Sequence, residues 1–214
     1  MISFEFYKRC KRYLNRHVFR IFFSSNFKFF GNRVSVYQPD TIEGAEYISL
    51  SHNVAIDSKC WLLAFKTEKY TPCLAVKEGV RIGRFSHIVA IDKLIIESNV
   101  LIADKVYISD NVHRYTDIES SILEQPVDFK GQVLIGRNSW IGENVSIIGV
   151  TIGKHCIIGA NSVVMSDIPD YCVAVGSPAK IIKRYNPDSS EWERTDYKGN
   201  FLNDVNEKLD YQIK

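Results

Sequence analysis

No stretch of this 214-residue chain approaches the ~18 consecutive apolar residues that a membrane-crossing helix requires. The nearest candidate, Val18–Phe23, is interrupted by Arg20, so a secretory leader is not expected either. Cysteine is scarce and poorly placed for pairing. The five residues, Cys10, Cys60, Cys73, Cys156 and Cys172, are odd in number, widely spaced and free of any Cys-x-x-Cys, which excludes a disulfide framework or a zinc knuckle. Small buried thiols in a reducing cytoplasm are the expectation. An excess of one charge is missing too: 27 Lys and Arg face 25 Asp and Glu, for a net +2. With 45% apolar and 24% charged residues, disordered and fibrous classes are excluded.

The charge is unevenly spread. Residues 1–33 hold eight cations, from Lys8 to Arg33, against the single acid Glu5, and the remainder carries 19 basic against 24 acidic side chains. A basic head precedes a mildly acidic body.

What the chain does have is a repeat. Aliphatic residues recur every six positions in four runs: Val76, Ile82, Ile88; Ile96, Ile102, Ile108; Ile135, Ile141, Ile147; and Ile152, Ile158, Val164. The next residue is Gly, Ala, Ser or Glu in eight of the twelve cases, and the fourth along is usually small or β-branched (Val80, Ser86, Val100, Val106, Ser139, Cys156). A helix repeats at 3.6 residues and a lone strand at 2, so neither accounts for this spacing. Short strands joined by sharp corners, three to a coil, do. Each strand points one aliphatic residue inward, the small residue lets the chain turn, and stacked coils pair in parallel around an aliphatic column.

These repeats resemble the hexapeptide-repeat acyltransferases, which are left-handed parallel β-helices. The likeness spans roughly residues 42–185 and is densest in Ile135-Gly-Arg-Asn-Ser-Trp-Ile-Gly-Glu-Asn-Val145, Val150-Thr-Ile-Gly-Lys-His-Cys-Ile-Ile-Gly-Ala-Asn-Ser-Val-Val164 and Ala174-Val-Gly-Ser-Pro-Ala-Lys180. Within that family the chain looks most like bacterial sugar O-acetyltransferases of the galactoside, maltose and polysaccharide group. The resemblance implies an all-β solenoid, acetyl-CoA as cosubstrate with no metal, a carbohydrate acceptor and a homotrimer with active sites between subunits. It also implies polysaccharide biosynthesis as the setting; the thiols and the absence of a leader make the cytoplasm the expected location, with the inner face of the membrane left open by the basic N-terminal segment.

The expected organisation is a basic amphipathic helical segment at 1–33, a β-helix at 34–184 and an acidic tail at 185–214. Two stretches break the repeat, 63–73 and 109–132, and long irregular excursions from regular coils tend to be functional. Over residues 3–23, Phe6, Cys10, Tyr13, Leu14, His17 and Ile21 fall on one helical face, and Lys8, Arg9, Lys11, Arg12, Asn15 and Arg16 on the other. Such a helix can close the open end of the prism, or make peripheral contact with an anionic membrane through residues 1–30. Nucleic acid is not an expected partner, since the body is acidic and carries no base-reading motif.

Acyl transfer to a hydroxyl needs a base, donors for the oxyanion and a place for both substrates. Of five histidines, His17 reads as packing and His155 as a corner residue. His113 opens the longer excursion, in Ser-Asp-Asn-Val-His-Arg-Tyr-Thr-Asp117, which resembles the family's Asp-His-x-His with a trailing Asp. There the second, catalytic His matches His113, the trailing Asp matches Asp117, and Asn111 stands in place of the first His. Asp110 and Asp117 are both candidates to orient the imidazole. The resemblance also places His87 and Asp92 at the acceptor pocket, with Asn111 and Arg114 alongside. It places Trp140, the amides of Gly142 and Ala160, and the cations Lys180 and Lys183 along CoA. Trp140 sits at neither an inward nor a corner position, which packing alone does not explain. Two features depart from the family: Met165-Ser166 stands where a Lys is common, and the interval Ile147–Ile152 is one residue short.

Two other readings stay open. A metal hydrolyase on the same fold needs three histidines per metal, two of them close on one coil, whereas His87 and His113 are 26 residues apart. A catalytically silent β-helix serving as scaffold or binding module is the main alternative.

Overall fold

In the computed structural model, which describes residues 3–202, the six-residue period closes into a parallel β-solenoid of three faces. The first coil runs through strands Phe29–Phe30, Ser35–Val36 and Thr41–Glu43, and the sixth through Thr151–Ile152, Ile157–Ile158 and Val163–Val164. Strands stack in register from coil to coil; Ile102, for example, lies between Ile82 and Ile141 on the second face. All twelve six-spaced Ile and Val residues are buried, none more than 2% exposed. The column is therefore as continuous as the spacing predicts. Its first strand, Phe29–Phe30, lies a little ahead of residue 34, where the β-helix is expected to begin, and Val34 and Val36 already point into the column.

The corners are made differently from the expectation. At two of the three corners of each coil the chain turns at the third residue after the inward aliphatic, where φ is positive: Gly79, Phe85, Asn99, Lys105, Asn138, Asn144, His155 and Asn161, between 55° and 74°. Asparagine tolerates this left-handed conformation better than other side chains do. The glycine directly after the aliphatic serves coil stacking instead: a Cβ on Gly142 would lie 2.6 Å from the backbone nitrogen of Ala160 in the next coil.

The fourth residue along points inward at the corner and ties neighbouring coils together. Ser139 donates its hydroxyl to the Gly153 carbonyl at 3.0 Å, and the thiols of Cys60 and Cys156 donate to the carbonyls of Gly83 and Pro169 at 3.0 Å each. These cysteines occupy places where other coils carry serine. Burial pushes both thiols up to about 11, which leaves them protonated and unreactive at neutral pH. Cys172 is also buried and Cys73 half-buried, but Cys10 is exposed, against the expectation of buried thiols throughout.

The N-terminal helix, Phe4–Phe23, starts at Ser3, whose hydroxyl accepts from the Phe6 amide. It lies against the first coil by its polar side. Asn15 donates to the Val36 carbonyl at 2.8 Å, Arg20 to the Gly31 carbonyl at 2.8 Å, and Arg12 pairs with Asp57. Phe19, on Phe27 and Phe30, is its one buried side chain. The apolar face identified in the sequence, with Phe6, Tyr13, Leu14 and Ile21, points to solvent. Closure of the prism by that face is therefore ruled out for this arrangement.

Both interruptions of the repeat leave from one corner, between the third face and the first. Residues 65–72 separate Trp61–Ala64 from Cys73–Val76, and residues 110–132 separate Tyr107–Ser109 from Val133–Ile135. They touch through Tyr70 and Phe129, with ring centroids 5.2 Å apart. At the C-terminal end Cys172–Val175 adds a last parallel strand to the second face. Lys180–Asn186 and Glu191–Arg194 then extend it antiparallel, so the tail expected from 185 is sheet through Arg194. The remainder of that tail, 203–214, lies outside the described residues, as do residues 1–2 of the N-terminal segment.

Candidate active site

The longer excursion is a hairpin. Strand Asn111–His113 pairs antiparallel with Val127–Phe129, setting His113 opposite Val127 with its side chain exposed. Asp110 anchors the base of this hairpin. Its fully buried carboxylate accepts the backbone N–H groups of Ile91 at 2.9 Å and Asp92 at 2.8 Å, and the Asn111 side-chain amide at 2.8 Å. Its carbonyl accepts the Lys130 N–H at 2.8 Å. Arg114 grips Asp128 across the hairpin with two N–H groups, at 3.0 and 2.5 Å, and each holds the other in its charged form. Asp117 accepts from the Ser120 hydroxyl at 2.7 Å and the Glu119 amide at 3.0 Å, and the Ser120 bond holds its carboxyl below the usual carboxylate range.

The two proposed orienting carboxylates are therefore both engaged in shaping the loop. Among the described residues neither forms a hydrogen bond to His113. Asn111 is buried on Asp110, and Arg114 is held by Asp128 rather than extended to an acceptor. Sequence reasoning missed Asp128 and Gln125. The Gln125 side chain bridges the loop by accepting the Asp117 N–H and donating to the Asp117 carbonyl. The only sequence signal for Gln125 is an uncharged polar residue within an otherwise exposed stretch.

His87 lies elsewhere, on the outer row of the third face, between Trp61 and Tyr107 in the adjoining strands. Both rings meet it edge-on, with centroids at 4.8 and 5.5 Å, and its Nε2 is buried without a partner. Burial holds its pKa below the ordinary 6.5. The unfolded chain thus binds the proton more readily, so this contribution to stability is complete above pH 6.5 and is lost as pH falls below it. The expected result is a melting temperature that drops between pH 7 and 5, with part of that slope removed in His87→Phe. An identical slope in the variant would assign it to other groups. Asp92 does not join His87; its amide serves Asp110 and its carbonyl accepts from Cys73 at 2.6 Å.

The proposed CoA residues gather on the second face. Trp140, Ile157, Val173 and Lys183 are successive partners across four neighbouring strands, and therefore share one outward row. At a strand spacing of about 4.8 Å the backbone positions of Trp140 and Lys183 are roughly 14 Å apart. Trp140 is 50% exposed, beside Leu101 at 47%, so packing within the chain leaves half the indole bare. The Gly142 amide is not free as expected, since it donates to the Ile158 carbonyl at 2.8 Å. The Ala160 amide has no backbone partner among the described residues. The Lys180 ammonium lies over the Tyr197 ring, 5.4 Å from its centroid. No group of three or more His, Cys, Asp or Glu able to hold a metal occurs among the described residues.

In a three-sided prism the corner that emits the hairpin lies opposite the second face. One chain thus presents His113 and Trp140 on opposite sides.

The stacked coils, with their period of six and the interruption after the fourth, define a hexapeptide-repeat protein similar to the hexapeptide-repeat acyltransferases. The family model described as "Hexapeptide repeat of succinyl-transferase" matches residues 132–166, the segment that carries Trp140, Gly142 and Ala160. Over 125 residues the chain is 39% identical to WbbJ of Escherichia coli K12, a protein named for O-acetyl transfer in lipopolysaccharide biosynthesis; this covers 55% of the chain and 63% of that protein. It is 38% identical over 104 residues to the galactoside O-acetyltransferase of the same organism, covering 48% of the chain and 50% of that protein. The chain thus spans less than two thirds of either relative. The same fold occurs in the N-acyltransferase AntD of Bacillus cereus, crystallised with dTDP and 3-hydroxybutyryl-CoA: the TM-score is 0.63 at 19% identity, over 78% of this chain and 87% of that one.

Proposed function

We propose that the chain is an acetyl-CoA-dependent O-acetyltransferase acting on a sugar hydroxyl in surface polysaccharide synthesis. The observation that carries this reading is the outward row of the second face: a half-bare indole, an aliphatic floor and a lysine three strands further along. A pantetheine arm has a place along Ile157 and Val173, the Ala160 amide is available to it, and Lys183 suits a phosphate. Names of relatives agree with acetyl transfer to oxygen.

His113 acts as general base, taking the proton from the acceptor hydroxyl as that oxygen attacks the thioester and returning it to the departing thiol. With Cys60 and Cys156 buried and protonated, direct transfer is favoured over an acyl-enzyme.

The opposed placement of His113 and Trp140 supports a site shared between copies, and a left-handed winding with three subunits would supply it. The hairpin tip fits that arrangement. Ile118 and Leu123 are 90% and 93% exposed, and apolar residues so displayed favour a partner surface.

The test is calorimetric titration with acetyl-CoA of the wild type and Trp140→Ala. Binding in the wild type, weakened roughly tenfold or more in the variant, is expected for loss of a large aromatic contact. No binding to the wild type at millimolar ligand would sink the acetyltransferase reading and leave a silent β-helix scaffold in its place.

A further inference from the structure

The N-terminal helix is docked the wrong way round for an element whose role is to complete a core. Its attachment uses Asn15, Arg12, Arg20 and the single buried ring of Phe19. At 100° per residue, the side opposite Phe19 carries Phe6, Tyr7, Tyr13, Leu14 and Ile21, with Cys10 and His17 along its midline. The first five are all exposed, Leu14 at 64% and Ile21 at 75%. An apolar strip of this length on an outer surface requires something to cover it.

We propose that this face lies on an anionic lipid surface, holding the N-terminal end of the solenoid against the membrane. Charge selects the occupant. Residues 1–33 carry eight cations and one acid, whereas the rest of the chain is net acidic. Among the described residues Arg9, Lys11 and Arg16 form no ion pair. By the same angular count Arg9 and Arg16 border one side of the strip and Lys11 the other, where long side chains reach lipid phosphates while the rings enter the acyl boundary. A second copy docking through the same face would bring an equal set of cations against these, so self-pairing is disfavoured. The helix is not long and apolar enough to cross the bilayer, which leaves it in the interfacial plane. Lipid binding does not depend on acyl transfer and can be tested without an acceptor.

The experiment is co-sedimentation of the full chain with phosphatidylcholine vesicles and with vesicles in which part of that lipid is replaced by phosphatidylglycerol. The wild type should sediment with the anionic vesicles and far less with the neutral ones, and rising salt should release it. The double variant Leu14→Glu/Ile21→Glu should lose roughly tenfold or more in binding while melting as the wild type does, since neither side chain packs on the body. The triple variant Arg9→Ser/Lys11→Ser/Arg16→Ser should lose on the order of a hundredfold on anionic vesicles. Equal sedimentation of the wild type with both vesicle types, or unchanged binding by the double variant, overturns the proposal. So does analytical ultracentrifugation without lipid, if the double variant is smaller in mass than the wild type, because the strip is then an interface between copies.

Discussion

His113→Ala should lower acetyl transfer by roughly 10²–10⁴-fold, the range for loss of a positioned general base, with acetyl-CoA affinity unchanged. The split follows from the proposed roles. His113 stands on the excursion hairpin, on the opposite side of the prism from the row proposed to hold the cosubstrate, so removing it leaves that row intact. Its side chain is exposed, and truncation should leave the melting temperature where it was. Added imidazole should restore part of the lost rate, because an exposed position can admit a small base from solution. A variant retaining most of the wild-type rate would remove His113 from the mechanism. One that loses rate and acetyl-CoA binding together would mean a damaged site rather than a missing base.

Asp110→Ala should have the largest effect on folding, about 3 kcal/mol or more. Its carboxylate is fully buried and receives two backbone amides and one side-chain amide, all of which lose their acceptor together. Denaturant unfolding checks the size. The damage should be local at first: the hairpin is fastened to the preceding coil at this residue, so protease should cut within 114–126 at lower concentration than in the wild type. Asp117→Ala is the control, since that carboxylate is exposed and shapes only the loop tip. If Asp110→Ala leaves stability unchanged but abolishes transfer, Asp110 acts on the imidazole after all.

The solenoid was legible because its signal is redundant. Each inward Ile or Val repeats the same statement, and a wrong phase at one coil is corrected by the next. The corner chemistry was less legible, since the turning residue is Asn at four of these corners and Gly79, Phe85, Lys105 or His155 at the others; several side chains tolerate that φ. The helix was the instructive failure. Its two faces follow from sequence, but which of them meets the body depends on what the first coil offers. That coil offers the carbonyls of Gly31 and Val36 and, next to it, the carboxylate of Asp57, all of which match the polar face. The site residues divide likewise. Trp140 stood out because it fits no packing role. Asp110 and Asp117 looked alike as letters, and only the amides around them reveal that one holds the hairpin's base and the other its tip.

The last strands of the second face have a bearing on how these molecules behave in concentrated solution. A stack of parallel coils ends in a bare row of amides and carbonyls that another such stack could continue indefinitely, much as filaments grow. Here the chain reverses after Val175 and lays Lys180–Asn186 and then Glu191–Arg194 antiparallel along that edge. A coil arriving from a neighbour meets the short outer strand Glu191–Arg194, set off from the stack by the reversed strand beneath it and charged at Glu191, Glu193 and Arg194, and the register it needs is gone. Removing residues from 176 onward should therefore turn a discrete particle into one prone to end-to-end polymerisation.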